Sequence, residues 1–210
     1  MNVETKIDFN QVITDLFANK EHLLENITGE DFTHLLKLAQ DRENSKHFLK
    51  EIEVITLLPS NKPLQNLWQA KDLFPGFHDE DFKNCGLDIK QKPIDQPVAI
   101  QISEMQQGKD GTFRDIFDAT NSELWIKAEN QHMILQIIEQ FYDRLHLKED
   151  GTTNFFPIEL WKEKVLVARF VVRMYVYSGK LVGHVREFED NYVWSGSHLH
   201  RVFTAVALKY

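Results

Sequence analysis

Residues 168 to 190 read ARFVVRMYVYSGKLVGHVREFED. Two β-branched and aromatic runs flank a Ser-Gly pair, the composition of a hairpin closed by a two-residue turn. This pattern constrains the fold more than any other in the chain, because a tight turn assigns every neighbouring side chain to a face. With Ser178 and Gly179 in the turn, Tyr177 pairs with Lys180, Tyr175 with Val182, Arg173 with His184, Val171 with Arg186 and Arg169 with Phe188. Alternation then sends Ala168, Phe170, Val172, Met174, Val176, Leu181, Gly183 and Val185 toward the core. Arg169, Arg173, Tyr175, Tyr177, Lys180, His184 and Arg186 occupy the opposite face, which does not join the helical core.

The same period of two extends over residues 164 to 177, 181 to 190 and 199 to 208, and the short connections predict an antiparallel meander. Upstream, the spacing is helical. Asp8 with Gln11 and Thr28 with Asp31 resemble capping boxes ahead of apolar stripes within residues 1 to 50. A helix is expected after Ser60 or Asn61, another starts at Thr112 with Asp115, and the longest runs from Thr120 to about His146 on Ile134, Ile137, Ile138, Phe141 and Leu145. Short β-branched runs at 51 to 59 and 97 to 105 read as strands, and 74 to 97 as a long loop with one helical turn. The expected fold is therefore α+β: a single domain over 1 to 210, with a helical N-terminal segment at 1 to 50. Helices of the first two thirds pack on one face of a curved antiparallel sheet supplied mainly by residues 164 to 210.

Charge matters because it limits the partners. The formal net charge is -8, yet residues 164 to 210 carry seven Lys or Arg against three Asp or Glu, leaving 17 against 29 elsewhere. Four of the seven arginines lie in the last 42 residues. An acidic mean field argues against nucleic acid, and the basic tail is too small to reverse it. No apolar run approaches the roughly 18 residues of a membrane helix, and the N-terminus lacks an export signal, so a cytoplasmic protein without membrane contact is expected. Cys85 is the only cysteine, which fits a reducing compartment.

Arg169, Arg173, Tyr175, His184 and Arg186 form the candidate binding set, since guanidinium forks suit carboxylate and phosphate and the tyrosine adds an aromatic wall. Other motifs carry less. His198 and His200 have the spacing of a metal pair, but alternation groups His200 with Val202 and Thr204 at the rim of the core, so no metal is expected. The HDED stretch at 78 to 81 reads as an acidic loop, KEDG at 148 to 151 as a helix end, and Cys85 has no visible base partner. Catalytic residues stay unassigned and no cofactor is implied. The expectation is a non-catalytic interaction protein of the inhibitor, immunity or adaptor kind, recognising a protein partner through charged surfaces. The alternative is an enzyme or ligand-binding domain that takes a small anionic ligand on the basic face of the 165 to 190 hairpin.

Overall fold

The computed structural model describes residues 48–70, 79–117 and 125–206, all within the unit spanning Asn44–Tyr210. The expected helices of residues 1 to 47 lie outside the described residues. Among the described residues, seven strands form one mixed sheet: β1 (Leu49–Leu57), β2 (Val98–Met105), β3 (Ile126–Lys127), β4 (Asn154–Lys162), β5 (Val165–Tyr177), β6 (Lys180–Glu187) and β7 (Arg201–Val206). Their order is β1-β2-β7-β4-β5-β6, with β3 beside β4. The described α-helices are small: α1 (Asp79–Asn84), α2 (Phe113–Phe117) and α3 (His132–Gln140).

The expected α+β layering is overturned by this arrangement. Strands from both halves of the chain enter the same sheet, and the described helices are too short to form a layer on one face. The C-terminal meander is also wrong, because β7 lies between β2 and β4 rather than beside β6. It pairs antiparallel with β2 and parallel with β4. The long helix from 120 to 146 shrinks to α3, with 3-10 turns at Ala128–Asn130 and Tyr142–Arg144. Part of its expected span is instead β3, which pairs with Ile158 and Glu159. The helix expected after Ser60 is one 3-10 turn, Leu67–Gln69.

Strand β4 (NFFPIELWK) escaped the sequence reading for two physical reasons. Its residues from Asn154 to Leu160 are buried without alternation, as in a strand covered on both faces. It also contains Pro157, which removes a ladder donor and argues against a central strand. The proline is tolerated because it falls at a changeover: Asn154 and Phe155 pair with β7, whereas Ile158 and Glu159 pair with β3.

Two hydrophobic clusters cover the two faces. One gathers Ile100, Ile102, Ile134, Ile137, Phe156, Val172, Met174 and Phe203. The other gathers Phe113, Phe117, Trp125, Phe155, Val171, Phe188, Trp194 and Val202. Phe155 and Phe156 are successive residues of β4, so the pleat sends one ring into each cluster, and both are fully buried. Each such burial contributes about 2–3 kcal/mol. Helix α2 begins as the sequence predicts: Thr112 N–H donates to Asp115 Oδ2 at 2.8 Å and Asp115 N–H returns to Thr112 Oγ1 at 3.3 Å.

The hairpin has the expected register from Tyr177 and Lys180 through Val171 and Arg186, and Phe188 N–H donates to Arg169 O at 3.0 Å. Ser178 and Gly179 have φ of 50° and 70°, the doubly left-handed pair that a type I′ turn needs. Serine adopts that conformation less readily than asparagine. Ser178→Asn should therefore raise, and Gly179→Ala lower, the unfolding free energy, each by about 0.5–1 kcal/mol, in urea melts.

Candidate functional site

The pleat brings Arg169, Arg173, Tyr175, His184 and Arg186 to one face, which is covered around Arg169 and Arg173 and exposed at Arg186. Val171 and Phe188 share it and belong to the aromatic cluster roofed by α2, Trp125 and Trp194. Arg169 and Arg173 thus stand at the margins of a second core, where a guanidinium that is not stacked and paired is left partly desolvated.

Arg169 and Arg173, four residues apart on β5, meet that demand differently. Arg169 lies over Trp125, with 5.1 Å from guanidinium carbon to ring centroid, and its Nε donates to Glu159 Oε1 at 3.1 Å. Glu159 is 1% exposed and also accepts from Trp161 Nε1 at 2.8 Å and Lys127 Nζ at 3.3 Å. Three donors hold that buried carboxylate. Arg173 likewise stacks, 5.6 Å from Trp194 and 5.3 Å from Tyr175. The residue opposite it on β4 is Phe155, however, where Arg169 faces Glu159. Arg173 has no ion pair among the described residues, and its Nε is buried without a hydrogen-bond partner. Burial, with repulsion from Arg186 as a lesser cause, pushes its pKa below the ordinary arginine value, although Tyr175 opposes the shift.

The remaining members of the set surround this group. His184 is opposite Arg173 in register and stacks on Tyr175 at 5.9 Å and 21°. Arg186 reaches Asp190, 3.4 Å from Nη1 to Oδ2. Arg173, His184 and Arg186 line a groove of about 960 Å³. Its other wall comes from Asp81, Asn84 and Cys85 at the end of α1, and its rim from Glu187, Glu189, Asp190 and Asn191. Arg169 and Tyr175 are not part of that lining. Glu189 is taken by Arg114 of α2. Burial, then the carboxylates of Glu187 and Asp81, push the Cys85 thiol pKa up, so it is a poor nucleophile in this groove.

Trp194 is held in place from behind. It exchanges backbone hydrogen bonds with Gly111 at 2.8 and 3.0 Å, and Asp110 Oδ1 accepts from Gly196 N–H at 2.8 Å and from Ser195 Oγ at 3.2 Å. His200 packs edge-on against Trp194 at 5.4 Å and accepts Thr153 N–H on Nδ1 at 3.0 Å. At 1% exposure it lies within this core rather than at the expected rim, on the side shared with Val202. Of HDED, Asp81 alone has a described side chain, and it lines the groove. Sequence reasoning missed Glu159 and the α1 wall. Glu159 sat in the unassigned stretch of β4, and no local pattern ties α1 to β6.

Compared with protein-family models, curated proteins and solved structures, the chain matches none. Its chemistry has to be argued from its own residues.

The contrast between the two arginines gives opposite expectations. Arg169→Met leaves Glu159 buried with two donors and should cost about 3 kcal/mol of stability, whereas Arg173→Met removes an unmatched, partly desolvated cation and should be neutral or stabilising in denaturant melts. A second expectation concerns acid. Burial, followed by repulsion from His198, lowers the His200 pKa from 6.5 to about 4. Below pH 6.5 the unfolded chain takes up a proton that the folded chain refuses until about pH 4. Stability should therefore fall as pH drops through this window, by at most about 3 kcal/mol from this residue. Urea melts between pH 7 and 4 should show the fall, and His200→Gln should reduce its slope.

Proposed function

We propose that this chain is a non-catalytic interaction protein that receives an acidic group of a protein partner at Arg173. The observation that carries the reading is Arg173 itself: stacked on two aromatic rings, with its Nε buried and unpartnered, and without the carboxylate that Arg169 has on the same strand. A carboxylate supplied from outside would complete the same arrangement with charge-assisted hydrogen bonds. The groove is open to solvent rather than enclosed, which favours a macromolecular segment over an engulfed small ligand. Its remaining charges describe that segment further. Arg186 is engaged with Asp190 and Glu189 with Arg114, while Asp81 and Glu187 have no ion pair among the described residues. The partner surface should then present a carboxylate to Arg173 and basic groups to Asp81 and Glu187. This is complementarity of both signs, which favours specificity over raw affinity.

Because Arg173→Met is expected to keep the fold, it separates binding from stability. A partner isolated on the wild-type protein from the cells that make it should bind the variant at least about tenfold more weakly in calorimetry, with affinity falling as salt rises. Equal affinity for the two proteins, in the presence of a folded variant, would sink the proposal. A small-anion function predicts something else: succinate or inorganic phosphate would raise the melting temperature of the wild type but not of Arg173→Met.

A further inference from the structure

A second site is built beneath the start of α3, independent of the Arg173 groove. Residues His132 and Gln136 are one turn apart on that helix, and both are buried, at 2% and 7% exposure. Gln91 fixes the state of the histidine. Its amide Nε2 donates to Ile89 O at 3.1 Å and Ala128 O at 3.2 Å, which leaves Oε1 to face His132 as an acceptor. That oxygen accepts the His132 backbone N–H at 3.0 Å and lies 3.4 Å from the ring Nδ1. A ring nitrogen facing an acceptor has to carry the proton, so Nδ1 is the donor and Nε2 holds a lone pair. Burial lowers the His132 pKa, in keeping with a neutral ring. Both His132 Nε2 and Gln136 Oε1 are buried acceptors without a hydrogen-bond partner.

The two residues line a hollow of about 200 Å³ together with Pro63, Leu64, Leu135 and Glu139. At its mouth the Glu139 carboxylate already engages an ammonium, Lys62 Nζ at 2.9 Å. The two orphaned acceptors call for a head group with more than one donor, the carboxylate shared with Lys62, which also lines the hollow, favours a cationic one, and the proline and leucines suit an aliphatic stem. A metal ion fits less well, since no three His, Cys, Asp or Glu are grouped among the described residues. We propose that this hollow binds a primary alkylammonium group, its N–H donors directed to His132 Nε2 and Gln136 Oε1. The group arrives either on a free small amine or on a lysine side chain, and reaching the two acceptors takes a small outward shift of the walls.

Long-range ¹H–¹⁵N correlation spectra of the wild-type protein test this. In the free protein, His132 Nε2 should resonate as an unprotonated nitrogen. n-Butylammonium, for the free amine, or Nα-acetyl-lysine amide, for the side chain, should move it upfield saturably, and tetramethylammonium, which has no N–H, should not. Gln136→Met should weaken the response about tenfold, the loss of one hydrogen bond to a charged donor. Three results would each overturn the site: a protonated Nε2 in the free protein, no shift beyond that of tetramethylammonium for either amine, or unchanged affinity in a folded Gln136→Met. The second would mean that the hollow holds water only. Should Gln136→Met fail to fold, the wild-type series decides alone.

Discussion

The middle of strand β5, from Phe170 to Val172, is buried on both faces, and the treatment of the neighbouring cations follows from that constraint. Phe170, Val172 and Met174 enter one cluster while Val171 enters the other, so a guanidinium on the second face cannot simply extend into water. Desolvating such a charge costs several kcal/mol unless stacking and hydrogen bonds offset it. Arg169 has both compensations, through Trp125 and Glu159. Arg173 has the first, through Trp194 and Tyr175, and lacks the second. A difference of one residue on the neighbouring strand, Glu159 against Phe155, separates a structural ion pair from a candidate recognition group.

Local chemistry was legible at two self-contained places. The Ser178-Gly179 turn dictates its own register, and the Thr112-Asp115 box caps its own helix, because both depend on residues a few positions apart. Long-range assignments were not legible in the same way. The apolar period that suggests a helix from 120 onward is satisfied in part by a strand, since Ile126 finds a parallel partner in Ile158 that no local pattern announces. Strand β4 hides its identity by being buried on both faces and by carrying Pro157 at the one place where its neighbours change. The face assignment of the arginines was correct in parity, but much of the cover over that face comes from α2 and Trp125, which are distant in sequence from the hairpin.

Order behind Arg173 bears on what the groove can do. Trp194 is tied to Gly111 through paired backbone hydrogen bonds, and the following residues are tied to Asp110. The close approach there leaves no room for a larger residue, since a Cβ on Gly196 would come within 2.4 Å of the Lys109 carbonyl oxygen. The stacking surface for Arg173 is therefore anchored before any partner arrives. A side chain that is already oriented loses less conformational freedom on binding, so more of its interaction free energy remains as affinity. That favours a rigid anchor surrounded by adaptable polar groups such as Asn84 and Asn191.

The acidity of the chain restricts how an acidic group could reach such an anchor. With a formal net charge of -8, the mean field repels an anionic partner and slows its encounter, and at physiological salt that field is screened beyond about 8 Å. Arg173 cannot act mainly by drawing partners from afar. It acts after contact, where water has been excluded and the guanidinium is worth more than at an open surface. Steering, if a partner needs it, has to come from basic residues on the partner that meet Asp81, Glu187 and the wider acidic surface. Those residues would bring the two molecules together, and the carboxylate at Arg173 would then decide which of the arriving molecules stays.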